Sequence, residues 1–184
     1  MICVLGVLKT AEGLRIKEEM LQWLRTYYDV YTVEQEAPGA LYEFPAISLA
    51  FEMAAKADVP VLYIHTKGAG NPHMIQGVVR AMWRGEFGDM RNANEYFKMV
   101  ETDEPRLACP VMGDDSQTWF NAFVANPTAA RILRETVAPS ADRYYFECVA
   151  RGTPVKVVSP REPVDAHGAI DFIVRYTKQS TGRT

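Results

Sequence analysis

The residues best suited to chemistry gather at His65-Thr66-Lys67-Gly68, directly after the apolar run from Val59 to Ile64. An imidazole, a hydroxyl and an ammonium stand there beside a loop whose Gly68 and Gly70 let backbone amides approach a ligand. That combination suits a phosphate or diphosphate, although the same residues also fit a strand end followed by a solvated turn. The loop is not a P-loop, because Lys67 precedes the glycines instead of following them. No Gly-x-Gly-x-x-Gly follows the first apolar run either, so a dinucleotide-binding fingerprint is absent from the chain.

Three further groups stand out. Gly113-Asp114-Asp115 puts adjacent carboxylates at a strand end, where Asp114 and Asp115 can bind a hard cation such as magnesium or act as a general base; a plain turn uses the same residues. Trp119, Asn121 and Phe123 combine aromatic faces with an amide, which suits a sugar and its hydroxyls, and aromatics at that spacing equally fit a core. Glu147 lies in the apolar run Tyr144 to Val149, where a carboxylate must be paired or have a raised pKa. It is therefore an acid/base candidate, or a salt-bridge partner of Arg143 or Arg151. His73 and His167 stand in polar surroundings, and no two histidines have metal-ligand spacing. Trp83-Arg84 and Arg91 follow the Lys67 loop and read as helix faces, or as groups closing over an anion.

The elements that must position these residues are legible in the hydrophobic pattern. Met1 to Leu8 is a continuous apolar run, as in a strand covered on both faces. Glu12 to Tyr28 is helical, with Ile16, Met20, Trp23 and Tyr27 on one stripe. Val30 to Glu34 is a second strand, and Pro45 opens a helix running to about Lys56 with Ile47, Ala50, Phe51 and Ala54 inward. Val59 to Ile64 is the third strand. This βαβαβ order predicts an α/β fold with a mostly parallel central sheet flanked by helices and right-handed crossovers. Ligands of such sheets bind beyond the carboxyl ends of the strands, which brings in Lys9, Thr10 and Glu34 beside His65, Thr66, Lys67 and Gly68.

The second half predicts helices over Met74 to Val100, split by Gly77, Gly85 and Gly88, and a strand over Arg106 to Met112. A helix follows from Pro127 to Leu133. Tyr144 to Val149 fits a strand or a short helix, Val155 to Val158 a strand, and Asp165 to Tyr176 a final helix. The expected organisation is one α/β domain over 1–176 with a polar, frayed tail over 177–184.

The chain has 184 residues, 48% of them hydrophobic, enough for one well-packed core. Its net charge of -3 lacks the basic excess of a nucleic-acid binder. No apolar run is long enough to cross a bilayer, and the N-terminus reads as a strand, not a signal peptide. The three cysteines, Cys3, Cys109 and Cys148, fall in apolar segments and read as reduced thiols of a cytoplasmic protein.

Val61-Leu62-Tyr63-Ile64-His65-Thr66-Lys67-Gly68 resembles a signature, V-L-Y-x-H-T-K-G, of bacterial glycosyltransferase-like proteins linked to capsule and lipopolysaccharide synthesis. Met82-Trp83-Arg84 and Met90 through Tyr96-Phe97 are similar to the helical elements that follow it in those proteins. Phe120-Asn121-Ala122-Phe123-Val124-Ala125-Asn126 stands where the family shows G-N-F-W-W-A-N, and Arg143 with Glu147 matches its Arg-to-Glu spacing. The likeness covers roughly residues 59 to 149. Phe120 replaces the family's Gly, and Ala122, Phe123 and Val124 replace a Phe and two Trp.

The resemblance implies a glycosyltransferase A-like fold and transfer of a sugar from a nucleotide-sugar donor to a glycan acceptor, in the cytoplasm or at the inner face of the membrane. Such transferases commonly hold manganese or magnesium with Asp-x-Asp at the end of a central strand. Here that location carries His65-Thr66-Lys67, so no metal ligand is assigned and Lys67, helped by His65, is expected to stabilise the leaving diphosphate. Asp114, Asp115 or Glu147 would take the acceptor proton, Lys9, Thr10 and Glu34 would meet the donor, and Trp119, Asn121 and Phe123 the acceptor. The alternatives are a non-catalytic module binding a nucleotide or phosphorylated ligand, and a magnesium phosphohydrolase using Asp114 and Asp115.

Overall fold

The computed structural model of the protein describes residues 1–36, 43–66, 74–114, 116–140 and 143–180, apart from the side chains of 74–76, 143, 144, 166, 174 and 176–180. Its elements run β1 (Ile2–Leu8), α1 (Ala11–Leu24), β2 (Asp29–Gln35), α2 (Phe44–Ala57), β3 (Val61–His65), α3 (Met74–Phe87), α4 (Met90–Met99), β4 (Arg106–Ala108), β5 (Phe123–Ala125), α5 (Pro127–Thr136), α6 (Arg143–Glu147), β6 (Lys156–Val158) and α7 (Ala166–Ser180). A short 3-10 turn, Trp119–Asn121, leads into β5.

The strands form one six-stranded mixed sheet in the order β2-β1-β3-β5-β4-β6. β1 lies parallel to both β2 and β3, and β4 parallel to β6, while β5 runs antiparallel to its neighbours β3 and β4. The sheet is therefore mostly parallel and flanked by helices. Side chains alternate across a strand, so β1 sends Cys3, Leu5 and Val7 into a core with α1, α3, α4 and α7, and Val4 into a second core with α2, α5 and α6. β1 and β3 are thus sheathed on both sides, which is why both read as unbroken apolar runs.

Several elements differ from the sequence expectation. The helical stretch after residue 74 breaks once, at Gly88, while Gly77 and Gly85 stay inside α3. A Cβ at Gly88 would lie 2.5 Å from the Arg84 carbonyl, so only glycine lets the chain turn so tightly there. Asp89 then caps α4 by accepting from Arg91 N at 2.9 Å. β4 ends at Ala108 instead of Met112: Cys109 N makes one more bond, to Val158 O, and Pro110 has no N–H to continue. Residues 143–147 are helical, and α7 extends to Ser180, beyond the expected start of the tail. Of the stripe assigned to α1, Ile16 and Met20 are buried, but Tyr27 is exposed past the helix end. β5 was not anticipated; at three residues it is too short to show a period.

Candidate functional site

β1 leads to β2 on one side of itself, and β2 then crosses over β1 to reach β3 on the other. The connecting helices α1 and α2 accordingly lie on opposite faces of the sheet. The helices that follow β1 and β3, α1 and α3, both join the first core, so the crevice of interest lies between the carboxyl ends of these two adjacent parallel strands, the edge where open α/β sheets take ligands. Two bonds tie the crevice walls together. Thr66 N donates to Gly6 O at 2.8 Å, and Leu8 N donates to Thr66 Oγ1 at 3.0 Å. Gly6 pairs in register with His65. A Cβ on Gly6 would come within 3.1 Å of Ala46 Cβ and 3.3 Å of His65 Cβ, so glycine here lets the first turn of α2 press against the strand end.

That close approach brings Glu43 to His65. Glu43 sits at the N-cap of α2, and its carbonyl accepts from Ala46 N and Ile47 N, but its carboxylate makes no capping bond. The carboxylate turns inward instead. Oε2 accepts from the Tyr63 hydroxyl at 3.1 Å and from Asn121 Nδ2, and Oε1 lies 3.4 Å from His65 Nδ1. His65 Nε2 lies 3.3 Å from the Phe120 carbonyl. The imidazole stacks on Tyr63 at 6.1 Å and tilts against Trp83 at 5.3 Å between centroids. Glu43 is 6% and His65 9% exposed, so the pair is largely withdrawn from water. Two hydrogen-bond donors on one oxygen, and the N-terminus of α2 beside it, favour the ionised carboxylate. Burial, then the neighbouring Glu43 charge, push the Tyr63 phenol well above its ordinary pKa, which keeps it a donor.

The far wall is built from strained backbone. Phe120 (φ 66°) and Asn121 (φ 58°) both adopt the left-handed conformation, which costs most residues but which Asn tolerates. The pair of turns aims the Phe120 carbonyl and the Asn121 amide at the His65–Glu43 pair. Among the described residues, Asn121 Oδ1, Trp83 Nε1 and Gln35 Oε1 are buried without a hydrogen-bond partner. Asn121 and Trp83 border the pair directly, and Gln35 closes the end of β2 beside Gly6. Buried polar atoms left open at one edge of a sheet mark a place for water or a ligand.

The remaining sequence-predicted residues make contacts of their own. Lys9 pairs with Glu36 at 2.9 Å, both exposed, and Glu34 pairs with Lys17 at 2.9 Å. Exposed pairs of this kind hold their partners weakly, so Lys9 remains able to meet an anion. Thr10 caps α1 by accepting from Gly13 N at 3.0 Å. Lys67, Gly68 and Asp115 lie outside the described residues. Asp114 is exposed in the turn after Gly113. Glu147 ends α6 with its side chain buried, and its carbonyl accepts from Thr118 N at 2.8 Å. Trp119 Nε1 donates to Val164 O at 3.0 Å. Phe123 is fully buried in β5, stacked between Phe51 and Tyr63, so its ring has no face open to a ligand.

Glu43, Tyr63 and Trp83 complete the centre. The signals for them were faint but present. Tyr63 and His65 are two apart in a strand and must share a face, and Glu43 is a charge set against the apolar opening of a helix, Phe44-Pro45-Ala46-Ile47. A second buried polar group is structural: Arg161 bonds Glu86 Oε1 at 2.6 Å and the Pro110 carbonyl at 3.1 Å, while the Tyr96 hydroxyl donates to Glu86 Oε2 at 2.6 Å. It locks α3 and α4 to the chain after β6.

Among the described residues no helix is long and apolar enough to cross a membrane, and no cluster of three or more His, Cys, Asp or Glu stands together to hold a metal. Compared with known protein families, curated proteins and solved structures, the chain matches none.

Proposed function

We propose that the protein is a glycosyltransferase-like enzyme of surface-polysaccharide synthesis, binding the diphosphate of a nucleotide-sugar at the β1/β3 crevice. The observation that carries this reading is the buried His65–Glu43 pair at the end of β3, bordered by polar atoms with no protein partner among the described residues. The resemblance of residues 59 to 149 to capsule and lipopolysaccharide glycosyltransferase-like proteins supplies the reaction class, together with a glycosyltransferase A-like arrangement and a cytoplasmic setting. The backbone adds support of its own: Phe120 and Asn121, at positive φ, stand where those proteins have Gly-Asn, the pair that adopts this conformation at least cost.

In the proposed reaction the acceptor hydroxyl oxygen attacks the anomeric carbon and the bond to the diphosphate oxygen breaks. The hydroxyl proton passes to a carboxylate, for which Asp114 and Glu147 are the candidates among the described residues. His65 and the ammonium of Lys9 offer positive charge to the departing diphosphate. A thermal-shift panel of nucleotides and UDP- or GDP-sugars, with and without manganese, tests the first step. A ligand at a hundredfold its Kd stabilises by about 2.7 kcal/mol, or about 5–10 °C for a chain of this size. At least one nucleotide-sugar should shift the wild type and not His65→Asn; a panel with no shift at all sinks the proposal.

A further inference from the structure

Glu43 carries an inference beyond the assignment of a donor pocket. His65 has an acceptor at each ring nitrogen, Glu43 Oε1 at Nδ1 and the Phe120 carbonyl at Nε2. A neutral imidazole has one N–H, and one of these contacts would then set a lone pair against an oxygen; the doubly protonated ring satisfies both. Glu43 in turn accepts from Tyr63 of β3 and Asn121 of the turn before β5, two donors that favour its ionised form. The groups packed on the ring among the described residues are Glu43 from the α2 cap, Tyr63 from β3, Trp83 from α3 and the Phe120 carbonyl. Glu43 is the carboxylate of that set.

We infer that Glu43 is a positioning residue that holds His65 as an imidazolium at the β1/β3 crevice, giving the site a fixed cation for a diphosphate. The identity of the ligand rests on the proposed function; the charge state of His65 does not. The acceptor on Nε2 is a carbonyl delivered by strained backbone, so the charge is set by the fold before any ligand arrives, and binding costs no proton uptake near neutrality.

The test uses the full chain labelled at histidine with 15N and 13C. The His65 ring resonances are assigned by their loss in His65→Asn, and His73 and His167 serve as internal references. In the wild type His65 should titrate more than one unit above the ordinary value of about 6.5, and Glu43→Gln should return it to about 6.5. Calorimetry with inorganic pyrophosphate and with UDP is the second arm. At pH 7.5 a ring with pKa about 6.5 is about one-tenth charged, so Glu43→Gln should bind about tenfold more weakly, and at pH 5.5 the two proteins should converge. A purely structural role for Glu43 would weaken binding equally at both pH values and so overturn the inference. Wild-type His65 titrating at or below about 6.5 overturns it without any variant, which covers the case where Glu43→Gln does not fold. A raised His65 pKa with pyrophosphate bound as tightly as UDP upholds the fixed cation and removes the nucleotide-sugar reading.

Discussion

Thr66→Val perturbs the crevice with the least change of shape. Thr66 is 4% exposed, and its Oγ1 accepts from Leu8 N at 3.0 Å, joining the ends of β1 and β3. Valine keeps the β-branched volume and the backbone bond from residue 66 N to Gly6 O, so the ladder is unchanged and one acceptor disappears. The Leu8 N–H, facing β3 and covered by the Thr66 side chain, then has nothing to bond. A buried donor stripped of its partner costs about 1–3 kcal/mol, and about 2 kcal/mol is the central expectation for this partly buried site. In a chain of 184 residues that amounts to a fall of about 4–8 °C in Tm. Thr66→Ser restores the hydroxyl and should recover most of the loss. The assay is urea unfolding followed by tryptophan fluorescence with a calorimetric Tm alongside; the midpoint should move and the slope m should not. If Val and Ser behave alike, or Val loses less than about 1 °C, the Leu8–Thr66 bond contributes nothing net and the crevice walls are held by the strand ladder alone.

Asn126 caps α5 through Ala129 N at 2.9 Å, and its Nδ2 also serves the carbonyls of Val100, Thr102 and Glu104, at 3.2, 3.0 and 2.6 Å. Asn126→Ala should therefore cost about 3 kcal/mol in urea unfolding, more than the roughly 1 kcal/mol of a simple cap; a cost near 1 would show that water replaces the amide. Burial pushes the Tyr28, Tyr63 and Tyr96 phenols up, whereas unfolded tyrosine ionises near pH 10. Their contribution is complete below pH 10 and is lost as pH rises toward the folded-state values, so the urea midpoint should hold to about pH 9 and fall above 10, and a flat midpoint at pH 11 refutes this. Cys3 and Cys109 are buried with thiols pushed up by desolvation, while Cys148 is partly exposed. One thiol should react with an aromatic disulfide reagent in the native protein and three after denaturation. At Phe120 (φ 66°) both Phe120→Ala and Phe120→Gly lose the buried ring, but Gly also sheds the strain of the left-handed backbone. Gly should be the more stable of the two by about 1 kcal/mol, the reverse of the usual order in regular structure.

How much was legible follows from how each element earns its conformation. β1, β3, α1 and α2 bury long apolar stretches, and their periods and punctuation stand in the local sequence: Pro45 at the start of α2, the unbroken runs of β1 and β3. β4, β5 and β6 are three residues each and exist because a neighbour offers a ladder. β4 and β6 still show as short apolar runs within Arg106 to Met112 and Val155 to Val158, whereas β5 carries no local mark, and the apolar residues around Pro110 hide the stop that cuts β4 short. The carboxyl-edge position of His65 and Thr66 was readable because strand order alone puts chemistry there. The identity of His65's partner was not, because Glu43 precedes it by a whole helix and depends on Gly6 permitting that helix to lie close.

The turn at Phe120-Asn121 shows where the demands of folding and of the site meet. A left-handed Phe costs roughly 1–3 kcal/mol, which a glycine would avoid. Here the ring returns that cost by filling the core beneath α1 and α3, leaving the residue 8% exposed. Packing thus does here what backbone freedom would do at a glycine: the carbonyl points at His65 and the next amide reaches Glu43. Phe123, one turn on, has gone the other way, its ring committed to Phe51 and Tyr63 inside the opposite core. The segment therefore directs its polar groups to His65 and Glu43 and its aromatic rings into the two cores. The buried Phe123 ring accordingly offers no face to a ligand.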